Sequence, residues 1–304
     1  MNTLPNTAWG FATCLYPKNS FKEQLNRIKF VSRATIQYSN YRLLKSQINS
    51  HPLIPTVLKN YPRIIEKPLR SFLNTQFSSR DRIHLIVEHY DRLCQLVSLQ
   101  QLENIYTQRF SVAQFECREI PFDLTLSYEN FHEREGELTL ALRQNDQRIY
   151  SAPVTLGTDE KRQPCLYLGT VQGSRDKNEI TKSLTRGCHG LRPKSLMIEY
   201  VKIMARHFGC ENIYAVSNSH HVYQSKRKTQ SRRSFDLDSL ITEHGGEAYN
   251  AAWSIMTSQS VRHDFADVVS RKRKMYRLRY EFIDDLEQQV QTNLPLLPQN
   301  KLNA

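Results

Sequence analysis

A cationic stretch between positions 181 and 194 contains the residue types best suited to binding an anion. Its cations and glycines are Lys182, Arg186, Gly187, Gly190, Arg192 and Lys194. Pro193 marks a helix start, because proline is tolerated at the first helical position. Such a start exposes unpaired N–H groups and about half a positive charge, so a bound phosphate would compensate the clustered charges. We predict an anion site here; the alternative is a solvated loop whose glycines only form the turn.

Two apolar segments end in polar side chains that could complete this site. Residues 165–171 predict a buried strand followed by Gln172, and residues 213–216 predict another followed by Asn218 and Tyr223. Because ligands favour the carboxyl ends of strands, we expect Gln172 and Asn218 to bind the substrate. His189 or Tyr223 would then be the catalytic group that moves a proton. The alternative for each segment is an ordinary strand that ends in a turn.

These segments together predict one pocket with a basic rim. Its boundaries would be residues 166–172, 182–194 and 216–223, because the polar positions follow elements that should be neighbours in a sheet. The two loop glycines, Gln172 and Asn218 should all approach this single cavity.

Other residue types suggest less chemistry. Glu133, Glu135 and Glu137 precede a predicted strand, and one of them could act as a general base, although a solvated turn explains them better. The six cysteines are scattered without a CxxC pair, and the chain contains no HExxH. The sequence therefore predicts no metal site.

The charge balance indicates an anionic partner. The chain of 304 residues has a formal net charge of +12, and residues 219–280 contain twelve Lys or Arg against six Asp or Glu. A phosphate-bearing donor, a lipid or RNA would each suit this charge. A solvated helix face is the alternative reading of the C-terminal cations.

Hydrophobic periodicity predicts an α+β fold with a mixed, mostly antiparallel sheet flanked by helices. Residues 1–115 are predicted as a mainly helical region. One helix should begin after Ser20 and another at a cap formed by Ser78 or Ser79, with an ordered loop or short turns at 51–70. Residues 116–232 are predicted as the α/β core, with strands at 138–142, 148–154, 165–171 and 213–216. A loop at 173–191 and a helix from Pro193 to a glycine cap at Gly209 complete this core. Residues 233–304 are predicted as a basic helical region, with a helix at about 264–291.

The sequence also predicts a cellular location. No apolar run approaches the roughly eighteen residues that a transmembrane helix needs, and the start of the chain lacks the pattern of a signal peptide. The cysteine usage is typical of a reducing compartment. We expect a cytoplasmic protein, with peripheral contact to the inner membrane as an open alternative.

Several of these segments together resemble the VirK/YbjX family of Gram-negative bacteria. The matching segments are His89-Tyr90, 135–138, 166–173, 181–194, 215–218, Gly245-Gly246 and 272–280, spread over about residues 60 to 290. The segment 235–243 departs from the family pattern. The resemblance implies a role in maintenance of the bacterial envelope and its outer membrane, in virulence and in resistance to antimicrobial peptides. It implies no established reaction.

The order of elements is similar to that of GNAT-type acyltransferases. In that fold, the loop before the helix cradles the pyrophosphate of an acyl donor, and a tyrosine on the next helix can act as general acid. This chain has His189 where the loop pattern has a glycine, and Tyr223 follows Asn218 closely. The resemblance implies an acyl-CoA or acyl carrier donor as the candidate cofactor.

Two classes of function therefore stay open. The first is an acyltransferase-like enzyme with a donor held by the cations of the 182–194 loop. The second is a non-catalytic accessory protein that binds RNA or anionic lipid and affects outer-membrane proteins indirectly.

Overall fold

A computed structural model describes residues 5, 7–174, 178–223 and 236–298. Its N-terminal part is helical, as predicted. The helices are α1 (Ala8–Leu15), α2 (Phe21–Ile36), α3 (Tyr38–Ser50), α4 (Ile54–Asn60), a 3-10 helix (Pro62–Leu69), α5 (Ser79–Leu96) and α6 (Leu99–Thr107). The predicted turns at 51–70 are thus two short helices.

The two predicted helix starts are confirmed by their caps. The Ser20 hydroxyl accepts a hydrogen bond from the N–H of Glu23, and α2 begins at Phe21, directly after Ser20. The Ser78 hydroxyl accepts from the N–H of Asp81, whose carboxylate accepts in return from the N–H of Ser78. This reciprocal capping satisfies donors that the first turn of α5 would otherwise leave open.

A nine-stranded sheet forms the centre of the protein. The strands are β1 (Phe110–Cys117), β2 (Ile120–Ser127), β3 (Leu138–Gln144), β4 (Gln147–Thr158), β5 (Pro164–Leu168), β6 (Gln172–Gly173), β7 (Asn212–Val216), β8 (Glu247–Ala248) and β9 (Trp253–Thr257). Their order is β1-β2-β3-β4-β5-β7-β9-β8, with β6 beside β4. All pairs are antiparallel except β5 with β7. The predicted fold class, a mostly antiparallel sheet flanked by helices, is confirmed.

The parallel pair is joined by helices on the C-terminal side of β5. The connection contains α7 (Asn178–Gly187) and α8 (Pro193–His207), so the predicted loop at 173–191 is partly helical. The predicted end of α8 is confirmed: Gly209 adopts φ +70, and the N–H of Cys210 donates to the carbonyl of Ala205. This six-to-one bond and the left-handed glycine close a helix in the Schellman manner.

The C-terminal part contains α9 (Leu237–Glu243), then β8 and β9, then α10 (Ser270–Asn293). The last helix begins six residues later than predicted. Phe265 and Val269, which precede it, are 36% and 61% exposed, whereas Ile283 and Leu286 on the helix are buried. Strands β1, β2, β8 and β9 were not predicted.

Both faces of the sheet centre are covered. Every residue of β3 up to Arg143 is buried, as are the residues of β4 from Ser151 to Gly157, and consecutive residues of a strand point to opposite faces. The sheet takes strands from both sides of the predicted boundaries after residues 115 and 232. The division into three regions stays a prediction.

An opening separates β5 from β7 beyond their last paired residues, Leu168 and Ala215. From there the N–H of Gly169 donates to Pro153 on β4, and that of Ser217 donates to Ala252 beside β9. Beyond this point the chain after β5 therefore pairs with β4, and the chain after β7 pairs with the residue before β9.

The segment 72–77 crosses this opening. The N–H of Leu73 donates to Arg134 on one side, and the N–H of Thr75 donates to His220 on the other. The side-chain amide of Asn74, which is 1% exposed, donates to the carbonyl of Ala252 at 3.1 Å. The ring of Phe77 packs against rings from β5 and β9. The helical N-terminal part therefore supplies a piece of chain to the middle of the sheet.

Candidate functional site

The predicted cationic loop lies on two helices. Lys182 and Arg186 are on α7, Arg192 is the residue before α8, and Lys194 is in the first turn of α8. Among the described residues, Lys194 pairs with Glu243 at 3.3 Å, and the other three cations are exposed and outside every ion pair. No side chain caps the start of α8. Their role as anion ligands stays a prediction.

The glycines of this loop approach the protein's own side chains. A Cβ on Gly187 would overlap the Cys117 side chain on β1. Gly190 adopts φ +77, and a Cβ there would lie 3.0 Å from the Arg279 guanidinium of α10. Arg279 also donates two hydrogen bonds to the carbonyl of His189, at 3.2 and 3.0 Å. Packing therefore accounts for both glycines, and the His189 backbone is held by α10.

Gln172 and Asn218, expected to share one cavity, have different partners. The Gln172 amide donates to the Glu135 carboxylate at 3.2 Å. Asn218 caps α9, because its side-chain oxygen accepts from the N–H of Leu237 and its amide donates to Asp236. Gly187 lies against β1 and Gly190 against α10, and the single pocket stays a prediction.

Tyr223 lies in a turn beside the side chain of Arg134. Its ring centre is 5.6 Å from the guanidinium carbon of Arg134. Among the described residues, α9 is the next α-helix along the chain, and it contains no tyrosine, so the helical general acid implied by the GNAT resemblance is not matched there. Part of the basic segment 219–280, residues 224–235, lies outside the described residues.

An open groove of about 420 Å³ is lined, among the residues that the structure describes, by four arginines and no acidic residue. The arginines are Arg33 on α2, Arg70 after the 3-10 helix, Arg82 on α5 and Arg134 in the turn before β3; we call this the arginine groove. Gln37, Leu69, Ser71 and Ser79 complete its lining. Four separate stretches of chain thus bring like charges together. Their mutual repulsion would be offset by an anion that lies between them.

Arg134 is the buried member of the arginine groove. The residue is 8% exposed, its Nε donates to the carbonyl of Ser71 at 3.0 Å, and its Nη1 has no hydrogen-bond partner within the described chain. Burial, and after it the charge of Arg70, lowers the pKa of Arg134. A buried donor without a partner is costly, so this guanidinium is suited to an anion that enters the groove.

The neighbouring arginines are held in place by other contacts. Glu66, with 3% of its side chain exposed, pairs with Arg33 at 3.1 Å and with Arg70 at 2.9 Å. Arg82 donates to the backbone carbonyls of Phe77 and Pro68. Because one carboxylate serves two arginines, the groove keeps an excess of positive charge.

The turn that carries Arg134 also carries a buried carboxylate network. Oε2 of Glu135 is 2.8 Å from Nδ1 of His132, and Oε1 is 3.1 Å from Nε2 of His221. On the other side of the ring, Nε2 of His132 is 2.8 Å from the hydroxyl of Ser151. Burial alone would raise the pKa of Glu135, but hydrogen bonds and charge from the two histidines outweigh it and lower the pKa to about 2.

This arrangement corrects the sequence reading of the acidic patch. Glu135 and Glu137 are each 1% exposed, so neither belongs to a solvated turn. The hydroxyl, imidazole and carboxylate of Ser151, His132 and Glu135 have the order of a nucleophilic triad. However, Ser151 is itself 1% exposed and no substrate can reach it, so the network holds the turn in place.

A second buried ion pair lies directly after this turn. Nζ of Lys67 is 2.8 Å from Oε1 of Glu137, and the Tyr90 hydroxyl donates to Oε2 at 2.9 Å. Burial lowers the pKa of Lys67, although the adjacent carboxylate opposes this effect. The pair ties the 3-10 helix that precedes Arg70 to the start of β3.

Sequence reasoning did not find the arginine groove. Its members are isolated in the sequence, on helices and turns whose proximity only the tertiary structure shows. The run of three glutamates around Arg134 was the available signal, since a lone arginine among glutamates requires separate surroundings for the two charges.

Within the residues that the structure describes, no helix combines the length and the hydropathy needed to cross a bilayer.

The comparisons with known proteins give a family. The chain is 25% identical to the uncharacterized protein YbjX of Escherichia coli (strain K12) over 90% of this chain and 84% of the relative. It is 27% identical to an uncharacterized protein of Haemophilus influenzae over 97% and 99%. It is 26% identical to the membrane protein LapB of Mannheimia haemolytica over 72% and 93%.

The profile of one family, described as "Protein of unknown function (DUF535)", matches residues 19–292. That match covers most of the chain, and the similarity to YbjX agrees with the family resemblance noted from the sequence. The chain therefore belongs to the DUF535 family.

Proposed function

We propose that the protein binds a phosphate-bearing ligand in the arginine groove and serves the bacterial envelope through that ligand. The observation that carries the proposal is Arg134, a residue of the groove lining whose buried Nη1 has no hydrogen-bond partner among the described residues. Three further arginines surround the same space, and no acid lines it. An anion would satisfy the open donor and reduce the repulsion among the arginines.

Phosphate fits this site better than a single carboxylate. The planar fork of arginine matches two phosphate oxygens at once, and several arginines can share the three oxygens of a terminal phosphate. Ser71 and Ser79 also line the groove, and the Ser79 hydroxyl donates to the carbonyl of Pro68 at 2.8 Å. The volume of about 420 Å³ leaves room for a group attached to the phosphate.

The envelope part of the proposal is supported by the family. The Mannheimia haemolytica relative is named a membrane protein, and the VirK/YbjX resemblance implies envelope maintenance and virulence. A lipid head group and a soluble phosphate ester share the chemistry that the groove recognises, and the experiment below separates them.

A second candidate is the acyltransferase-like enzyme. It is favoured by the order of β5, α8 and β7, and by the exposed cations Arg186 at the end of α7 and Arg192 before α8. Acyl-CoA or an acyl carrier protein would supply the donor phosphates, and His189 or Tyr223 would move the proton. The segment 72–77 across the β5–β7 opening and the hold of Arg279 on His189 reduce the space for such a donor.

Calorimetry with soluble ligands tests the groove. The probes are pyrophosphate, glycerol phosphate, coenzyme A and a short-chain phosphatidylglycerol, with acetate as a negative control. Since a hydrogen bond to a charged group contributes about 1.5–3 kcal/mol, Arg134→Gln should weaken phosphate binding roughly tenfold to a hundredfold. Arg42→Gln, at an exposed position of α3, removes the same charge and should have little effect.

The same titrations separate the candidates. Tighter binding of the phosphatidylglycerol than of glycerol phosphate would identify a lipid head group, and equal binding would identify a soluble ester. Loss of coenzyme A binding in Arg186→Gln with Arg192→Gln, but not in Arg134→Gln, would replace the groove by the enzyme. Unchanged phosphate affinity in Arg134→Gln contradicts the groove proposal.

An RNA-binding accessory protein is the remaining alternative, because Arg271, Lys272, Arg273 and Lys274 at the start of α10 are exposed. RNA binding should fall steeply with salt, with a slope set by the number of phosphates contacted. A steep slope that Arg134→Gln leaves unchanged would favour RNA over the groove ligand.

A further inference from the structure

Helix α2 presents an apolar stripe to solvent. The stripe consists of Phe21 (77% exposed), Leu25 (39%), Ile28 (53%) and Ile36 (83%). At 3.6 residues per turn these positions fall within an arc of about 80°. We call them the outer stripe.

The same helix buries its opposite face. Phe30 is 0% exposed and Ala34 is 2% exposed, and both lie about half a turn from the outer stripe. Core packing therefore explains one apolar face of α2 and leaves the other unexplained. Four large exposed side chains in one row are more than the scattered apolar residues of an ordinary surface.

The charge around the outer stripe is almost entirely positive. Residues 1–65 contain nine Lys or Arg and one acidic residue, Glu23, and hence +8 of the total of +12. The carboxylate of Glu23 already accepts a hydrogen bond from the N–H of Lys18. Lys22 and Lys29 are exposed beside the stripe on α2 itself. An apolar row flanked by lysines has the pattern of a helix that lies in the surface of an anionic membrane.

We propose that α2 docks on an anionic bilayer through the outer stripe, with the helix parallel to the membrane plane. Its sixteen residues extend about 24 Å, enough for several contacts along the surface. The apolar side chains enter the boundary between head groups and acyl chains, and Lys22 and Lys29 contact lipid phosphates.

The proposal is independent of the arginine groove, because the outer stripe makes no use of it. The two features are nevertheless close in the chain: Arg33 of α2 and Gln37, directly after its last residue, line the groove. Docking of α2 would therefore hold the arginine groove near the lipid head groups.

Vesicle flotation tests the docking. The full chain is mixed with vesicles of phosphatidylcholine alone or with about one third phosphatidylglycerol. The wild type should float with the anionic vesicles. Replacement of Phe21, Leu25 and Ile28 by Ser should reduce the bound fraction about tenfold or more, because the buried apolar area is lost. The matched control replaces Leu99 and Val261, which are exposed elsewhere, and should bind as the wild type does.

A separate pair of substitutions tests the contribution of the lysines. Lys22→Gln with Lys29→Gln should lower binding to anionic vesicles several-fold and make it less sensitive to salt. If the triple variant is unstable in circular dichroism, Phe21→Ser alone at the most exposed of the three replaced positions carries the test. Arg134→Gln measures the groove separately: normal flotation with lost glycerol phosphate binding leaves the docking proposal intact.

Two results would overturn the proposal. The first is equal flotation of the wild type and the stripe variant. The second is a wild type that sediments as a dimer while the stripe variant sediments as a monomer, with vesicle binding absent in both. That outcome would assign the outer stripe to contact between two copies of the chain.

Discussion

Arg134 and Glu135 are neighbours in the chain, yet their side chains serve different surroundings. The guanidinium lines the open arginine groove, while the carboxylate lies 2.8 Å from His132 in the interior. Because the two residues are adjacent in one turn, the contacts of Glu135 with His132 and His221 also hold the backbone of Arg134, and so they help to position its side chain in the groove. Changes to either residue should therefore be measured for stability and for ligand binding together.

The pH dependence of stability should report the state of Glu135. Its pKa is lowered to about 2 in the folded protein, against about 4.3 in the unfolded chain. A lowered carboxyl pKa stabilises the fold above about pH 4, and this contribution is lost as the pH falls towards 2. Glu135→Gln should therefore reduce the free energy of unfolding by about 3 kcal/mol at neutral pH, with the difference vanishing near pH 2.

Urea unfolding across that pH range measures the effect. Glu103→Gln at an exposed position of α6 is the control and should change stability little at any pH. A deficit in Glu135→Gln that stays constant down to pH 2 would show that shape, not charge, is responsible.

The buried pair of Lys67 and Glu137 should behave as one unit. Their side chains are 2% and 0% exposed, so removal of one partner leaves the other charge buried and unpaired. Lys67→Met or Glu137→Gln alone should cost about 3–5 kcal/mol. The double variant should cost clearly less than the sum, which a double-mutant cycle by chemical denaturation measures. Additive losses would mean that the pair is not coupled.

Gly169 should tolerate no side chain, because a Cβ there would overlap the carbonyl oxygen of Glu135. Gly169→Ala should destabilise the protein by about 3 kcal/mol and weaken the acid-dependent part that Glu135 contributes. Gly209→Ala is the contrast: its surroundings are open, but its φ of +70 is unfavourable for alanine. That change should cost about 1–2 kcal/mol equally at all pH values. Both are measured by thermal and urea unfolding.

A phosphate-bearing ligand should stabilise the fold through the arginine groove. At a ligand concentration of about one hundred times Kd, the free energy of unfolding should rise by about 2.7 kcal/mol. The rise should fall to about 0.4–1.4 kcal/mol in Arg134→Gln, whose binding is tenfold to a hundredfold weaker, and should persist in full in Arg42→Gln. An equal rise in both variants would place the ligand elsewhere.

Local chemistry explains what could be predicted from the sequence. Ser78 and Gly209 act on the backbone within a few residues, so the boundaries of α5 and α8 could be assigned from the chain alone. The alternation from Leu138 to Leu142 likewise gave β3. These features depend on neighbours in sequence and need no knowledge of the tertiary structure.

The arginine groove and the outer stripe depend on contacts that no local pattern contains. Phe21 and Phe30 both follow helical spacing on α2, and only the position of the remaining chain decides which of them is buried. Glu137 was read as solvated because its partner Lys67 lies 70 residues earlier. The glycines at 187 and 190 suggested an anion site, but their nearest neighbours are side chains of β1 and α10.

The segment 72–77 has a consequence for the order in which the protein can be completed. Asn74 finds its partner carbonyl at Ala252, 178 residues later in the chain. During synthesis the N-terminal helices leave the ribosome long before β9 exists, so this contact forms only near the end of translation. Until then Phe72, Leu73 and Asn74 lack the surroundings that bury them, and a chain stalled before residue 252 should be sensitive to proteases at this segment.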